Sequence, residues 1–268
     1  MEDSTQAAES QRLRNFWNSR YNTFSLKESG IMSMTPEYGE LLYRCKRAAY
    51  LKALRLARVS RWEMVCILDA GCGQGYFAKL AASKFPKLSY TGVDISEKAV
   101  DHLRAEMPEH EWICGDVCDT AFQIRSDYDV CQSIEVMHLI LDDGNHRRAL
   151  QKLADSLRPG GTLIITDTLP AQRYQANNYI VFRPMSYYRE VFREAGLALE
   201  HVFPMYYWIP DRGAMWHPAI RVTRRLSPLL IYALDRFLLT IRAPQIKPSH
   251  DSQMKMMVLR KLNPSQRS

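Results

Sequence analysis

Residues 65–77 constrain the fold more than any other part of this sequence. They read Val-Cys-Ile-Leu-Asp-Ala-Gly-Cys-Gly-Gln-Gly-Tyr-Phe. A short apolar run stops at an acid, Asp69, and glycines follow at alternate positions, Gly71, Gly73 and Gly75. A helix-compatible pattern then begins at Tyr76. The order is strand, tight turn, helix. Glycine is needed where the main chain turns with positive φ, or where a ligand must reach the backbone with no Cβ in the way. A glycine turn between a buried strand and a helix N-terminus is a nucleotide-cradling corner of open α/β sheets. The dinucleotide fingerprint G-x-G-x-x-G does not fit. Tyr76 stands three residues after Gly73, and the third glycine comes one position early.

The rest of the chain supports an alternating sheet. Strands are expected at Val65–Ala70, Leu88–Asp94, Glu111–Cys114, Tyr128–Ser133, Thr162–Asp167, Ala198–Pro204 and Met254–Lys261. Between them lie helical patterns at Tyr76–Lys84, Glu97–Glu106 with Ser96 as its cap, His146–Leu157, and Met185–Glu194 with Gly196 as its stop. This alternation predicts an α/β fold, a doubly wound, seven-stranded, mainly parallel sheet. Ahead of it, residues 1–10 read as disordered and Gln11–Arg20 as a short helix. Residues 21–36 read as loop, and a helix starts at Thr35-Pro36 and runs to about Arg58. The expected division is an N-terminal part, 1–60, with a possible lid carrying Trp17, Tyr21 and Phe24, and a main domain, 61–268. An insert at about 205–251 separates the last two strands. It carries Tyr206, Tyr207, Trp208 and Trp216 and an apolar helix near 228–241.

Five further features stand in order behind the glycine turn. Asp94 ends the second strand, 25 residues after Asp69. Such an acid can take the ribose hydroxyls of an adenosine lying over the turn, or it can simply cap a helix. Gly115-Asp116-Val117 follows strand three and also suits a plain turn. Tyr128-Asp129-Val130 opens strand four, whose exit carries Ser133, Ile134, Glu135 and His138. Leu157-Arg158-Pro159-Gly160-Gly161 leads into strand five, and Phe192-Arg193-Glu194-Ala195-Gly196-Leu197 ends a helix.

With the D-x-G-x-G-x-G turn, these features resemble the class I S-adenosylmethionine-dependent methyltransferases over about residues 60–204 and the last strand. The resemblance implies a Rossmann-like fold and S-adenosyl-L-methionine as cofactor. It implies a cofactor site of Asp69, Gly71, Gly73, Gly75, Asp94, Ile95, Asp116, Val117 and Ser133. Asp94 would meet the ribose, Asp116 the adenine amine, and Ser133 the methionine part. Methylating an alcohol or phenol also needs a proton acceptor. His138 and Glu135, at the exit of strand four, are the candidates, beside the plain readings of a packed histidine and a solvated acid. The ends of the chain match no substrate signature.

Composition limits the partners. With 46% hydrophobic and 24% charged residues the chain is ordinary globular material, and no apolar run is long enough to cross a bilayer. From its polar, acidic start no signal peptide is expected. The six cysteines include no C-x-x-C pair and read as reduced, buried thiols, so a cytoplasmic protein without a bound metal is expected. The net charge of +7 is spread over both ends, which favours solvated helix faces over a nucleic-acid groove. Neither N-P-P-Y nor D-P-P-Y follows strand four, which removes the signature of nucleobase amino methylation. The expectation is a small-molecule acceptor, methylated at oxygen, with no tight nucleic-acid binding and no membrane insertion. An RNA methyltransferase, a non-catalytic cofactor-binding or partner-regulating module, and a nicotinamide oxidoreductase stand as the alternatives.

Overall fold

A computed structural model describes residues 2–21, 36–206, 232–233, 236–237, 254–263 and 265. The expectations for the 22–35 loop, including Phe24, and for most of the 205–251 insert, including Tyr207, Trp208 and Trp216, lie outside the described residues.

The centre is a seven-stranded sheet in the order β3-β2-β1-β4-β5-β9-β8. Its strands are β1 (Val65–Ala70), β2 (Leu88–Asp94), β3 (Glu111–Cys114), β4 (Tyr128–Ser133), β5 (Leu157–Asp167), β8 (Leu197–Pro204) and β9 (Lys255–Lys261). Only β9 runs against its neighbours, pairing antiparallel with β5 and with β8. The doubly wound, mainly parallel reading therefore holds. Side chains alternate between the two faces of each strand. Ile67, Ile164, Met256 and Val258 enter the core on one face, with α2 (Pro36–Leu56), α3 (Tyr76–Ala82) and α4 (Glu97–Glu106). Leu68, Leu163, Ile165, Met257 and Leu259 enter the core on the other, with α5 (Asp143–Ser156) and α6 (Met185–Glu194). From β1 the chain winds outward through β2 to β3, then returns to β4 on the other side of β1. That reversal opens a crevice at the C-terminal ends of β1 and β4, the switch point of such sheets.

Several boundaries differ from the sequence reading. Helix α1 spans Glu2–Arg20, so residues 2–10 are helical rather than disordered. Helix α2 stops at Leu56 and α3 at Ala82, each two residues short of expectation. Helix α5 starts at Asp143, three residues early, because the Asp142 side chain accepts from Asn145 N at 2.7 Å and caps it there. The Arg158–Gly161 turn is drawn into β5, which starts at Leu157 paired with Tyr128, and the register shifts before Val130. Strand β8 begins one residue early at Leu197, and β9 one late at Lys255. Ala195 is the C-cap of α6, and Gly196 follows it with φ +65°. A short hairpin, β6 (Tyr174–Asn177) and β7 (Ile180–Phe182), was not expected.

Candidate functional site

The glycine turn sits at the crevice. Gly71 N and Cys72 N donate to Val93 O at 2.7 and 3.1 Å, which folds the turn back over the end of β2. Gly73 has φ +52° and donates its N–H to Asp94 Oδ2 at 2.8 Å. A Cβ on Gly73 would meet only the Tyr21 hydroxyl, at 3.0 Å, so this residue presents bare backbone to the cavity. A Cβ on Gly75 would instead lie 2.4 Å from Leu103 Cδ2, so that glycine serves helix packing.

One large cavity opens beside the turn. On its β2–β3 side it is lined by Asp94, Ile95, Asp116 and Val117. Asp94 is buried, and its second oxygen accepts from Ser96 N at 2.9 Å. Burial raises its pKa, and the backbone hydrogen bonds from Ser96 and Gly73 work against that rise. Asp116 Oδ1 accepts from Cys118 N at 2.8 Å, and Oδ2 accepts from the Ser10 hydroxyl. Helix α1 covers this part, with Ser10, Leu13, Trp17 and Tyr21 in the cavity wall. It is tied down by Ser96 Oγ, which donates to Asn18 Oδ1 at 2.7 Å. Phe16 also stacks on Tyr179 of the hairpin at 4.8 Å.

On the β4 side the wall comes from Tyr43 and Lys46 of α2, Tyr76 and Phe77 of α3, and Glu135. Glu135 has φ +61°, a backbone conformation that favours glycine, and its N–H donates to Thr166 Oγ1 at 2.7 Å. Its carboxylate is ion-paired with the buried Lys46 ammonium. Burial works to lower the Lys46 pKa, but the Glu135 carboxylate outweighs it, so the pKa is raised and the cation persists. Burial pushes the Tyr76 phenol up to about 12.

The residues present fit an adenosine-bearing cofactor. Two acids, on adjacent strand tips, and an open glycine backbone face the same covered space. Residues 67–161, which include Asp94, Asp116 and Glu135, match the family model described as a methyltransferase domain. This stretch of the chain is a methyltransferase domain of the class I, S-adenosylmethionine-dependent type.

Within that family, the chain is 32% identical over 110 residues to a trans-aconitate 2-methyltransferase of Azoarcus sp. (strain BH72), covering 41% of this chain and 42% of the relative. It is 30% identical over 106 residues to a malonyl-[acyl-carrier protein] O-methyltransferase of Priestia megaterium, covering 39% and 37%. The match thus spans about two fifths of these curated relatives' length. The fold also resembles the O-methyltransferase of a trans-AT PKS multienzyme of Brevibacillus brevis, solved with S-adenosyl-L-homocysteine. The TM-score is 0.58 at 15% identity, over 87% of this chain and 81% of that one. The cofactor of such a domain is S-adenosylmethionine.

The methyltransferase cavity gathers Gly71, Gly73, Asp94, Ile95, Asp116, Val117 and Glu135 from the expected site, and Trp17 and Tyr21 from the expected lid. Four expected site residues are not in its wall. Asp69 is buried behind the turn, where Tyr90 OH donates to its Oδ2 at 2.6 Å. Burial raises its pKa to about 7, against hydrogen bonds from Tyr90 and Gln132, and its Oδ1 has no partner among the described residues. Its place is at the end of a buried chain in which Tyr50 OH donates to Gln132 Oε1 at 2.8 Å and Gln132 Nε2 to Tyr90 OH at 3.1 Å. Gly75 packs on α4. Ser133 is fully buried and donates to Ala70 O at 3.0 Å, tying β4 to β1.

His138 lies in a 3-10 turn, Met137–Leu139, packed on Phe182 with ring centroids 5.6 Å apart. Burial is the main cause of its pKa falling to about 4, with Glu135 opposing and Lys46 and Arg183 assisting. The His138 imidazole expected as a base is thus buried outside the cavity wall, and its lowered pKa makes it a weaker proton acceptor than a free histidine. Sequence reading missed Lys46 altogether. It sits mid-helix among basic residues of α2, and nothing local marks it.

Proposed function

We propose that this methyltransferase transfers the methyl group of S-adenosylmethionine to an oxygen atom of a small molecule. The observation that carries the reading is the covered cavity, with adenosine-type acids on one side of the glycine turn and the Lys46–Glu135 pair on the other. Bound S-adenosylmethionine supplies a methyl group on a sulfonium, already a good leaving group. The protein's part is to hold an acceptor in line and to keep water out. Asp94 and Asp116 would hold the ribose and adenine, with Gly73 offering bare backbone and Ile95 and Val117 apolar contact. Trp17 of α1 and Tyr21 just after it exclude water from above, and Tyr43, Tyr76 and Phe77 form an aromatic wall beside the turn.

Glu135 replaces His138 as the proton acceptor in this reading. It is the carboxylate in the β4-side wall, fixed by its N–H to Thr166 and ion-paired with the Lys46 ammonium. The Tyr76 phenol of the same wall, pushed up to about 12 by burial, is too weakly acidic to serve. The oxygen-directed reading is further supported by the similar proteins, which include a malonyl-[acyl-carrier protein] O-methyltransferase and a PKS O-methyltransferase.

Two experiments test the proposal. Calorimetry should show binding of S-adenosylhomocysteine and none of NAD. Methyl-labelled S-adenosylmethionine offered with a panel of carboxylic acids, phenols and amines should place label on oxygen, as base-labile esters or stable ethers. Label on amines alone, or on added RNA alone, overturns the assignment of the acceptor.

A further inference from the structure

Lys46 is a buried cation whose bonding is only partly used. Its residue is 5% exposed, yet its side chain belongs to the wall of the cavity. An ammonium has three N–H donors. Among the described residues its partners are the Glu135 carboxylate and the face of the Tyr43 ring, whose centroid lies 4.5 Å away. One donor makes a hydrogen bond, a second interaction is with a π face, and no further acceptor for the ammonium is found among the described residues. Buried polar groups are normally satisfied, and a buried charge most of all. The site is also held with care on its other side. Glu135 keeps a left-handed backbone, pinned by Thr166. Such strain persists where the surrounding structure over-determines it, and it clusters at ligand sites.

We propose that Lys46 is a ligand-binding residue that receives a carboxylate within the cavity. The Glu135 partner already offsets one positive charge, so a single negative charge suits the site better than a phosphate dianion. Lysine is a point charge without the fork that arginine offers to phosphate, which favours the same choice. The proposal rests on the reading of the cavity as a methyltransferase site. There the carboxylate has two sources, the amino-acid end of the cofactor or an acidic acceptor. An acidic acceptor is already ionised at neutral pH and needs no base, so Glu135 would then act by orienting Lys46.

The test uses the full chain and three probes: S-adenosylhomocysteine, 5′-methylthioadenosine, which lacks the amino-acid end, and butanoate or octanoate added to protein saturated with S-adenosylhomocysteine. Binding of the first two to the parent protein checks the cofactor reading by itself. Its failure would be seen before any Lys46 variant is made. If the cofactor supplies the carboxylate, Lys46→Met should weaken S-adenosylhomocysteine at least tenfold and leave 5′-methylthioadenosine unchanged. If the acceptor supplies it, Lys46→Met should bind S-adenosylhomocysteine as the parent does and lose butanoate or octanoate at least tenfold. A Lys46→Met protein matching the parent with all three probes overturns the proposal. Should Lys46→Met fail to fold, Glu135→Gln decides. It leaves the cation in place and removes its counter-charge, so one of the two carboxylate-bearing probes should bind severalfold tighter and 5′-methylthioadenosine should not. Equal binding of all probes by Glu135→Gln and parent would then overturn it.

Discussion

Burial of His138 predicts a stability change with acid that can be worked out from the structure. The imidazole has a folded pKa of about 4, against 6.5 for the free side chain. A base with a depressed folded pKa binds fewer protons when folded than when unfolded across that interval. Stability must therefore fall as pH drops through it. Above pH 7 both states are neutral and the group costs nothing by this route. At pH 5 the unfolded imidazole is largely protonated while the folded one is not, and the difference is worth about 2 kcal/mol at 1.36 kcal/mol per unit. His138→Leu removes the titration and also the Nδ1 that lacks a partner among the described residues. The assay is urea unfolding of both proteins at half-unit steps from pH 8 to pH 5. The parent should lose about 2 kcal/mol relative to His138→Leu across that range, most of it below pH 6.5. Curves that stay parallel would mean that His138 titrates normally, and the argument against it as the base would collapse with its burial.

Four other substitutions have outcomes that follow from the structure. Asp94→Asn should weaken S-adenosylhomocysteine at least tenfold by calorimetry. Asp94→Ala should in addition lower stability by about 1–3 kcal/mol in urea, because it strands the Gly73 and Ser96 N–H groups that the carboxylate holds. Gly73→Val should abolish cofactor binding, since its side chain would enter the cavity beside the Tyr21 hydroxyl and its φ of +52° disfavours a branched residue. Ser133→Ala should cost about 1 kcal/mol of stability and leave cofactor affinity unchanged, because its hydroxyl is spent on Ala70 O. A tenfold loss of affinity would return Ser133 to the binding site.

Residues 65–77 show what the sequence by itself determined. The strand spans Val65–Ala70, Leu88–Asp94, Glu111–Cys114 and Tyr128–Ser133, the Ser96 cap and the glycine turn were legible because each is a local matter. Apolar runs, caps and positive-φ turns are dictated by neighbours within a few residues. The alternation also predicts a doubly wound sheet, whereas the reversal after β3 that opens the crevice is seen only in the structure. Asp94 and Asp116 were legible for the same reason, standing at strand tips that the pattern locates.

Tertiary structure decided which side chains share the cavity. Lys46 meets Glu135 across 89 residues of chain, and Ser10 meets Asp116 across 106. No spacing rule links such pairs; they are chosen when α2 packs on the sheet and α1 settles over the crevice. Helix α1 itself has almost no apolar periodicity, with Ser10, Trp17, Asn18 and Tyr21 docking on the strand tips and α4. Its sequence therefore reads as a disordered start with a short helix. Depth below the surface was equally invisible. Asp69, Ser133 and His138 occupy positions that suit a site by spacing, yet each is turned into the core, where hydrogen bonds to Tyr90 and Ala70 or contact with Phe182 set its role. A sequence position fixes how far along a strand or turn a residue lies. Whether its side chain meets the ligand depends on which elements pack against it from elsewhere in the chain.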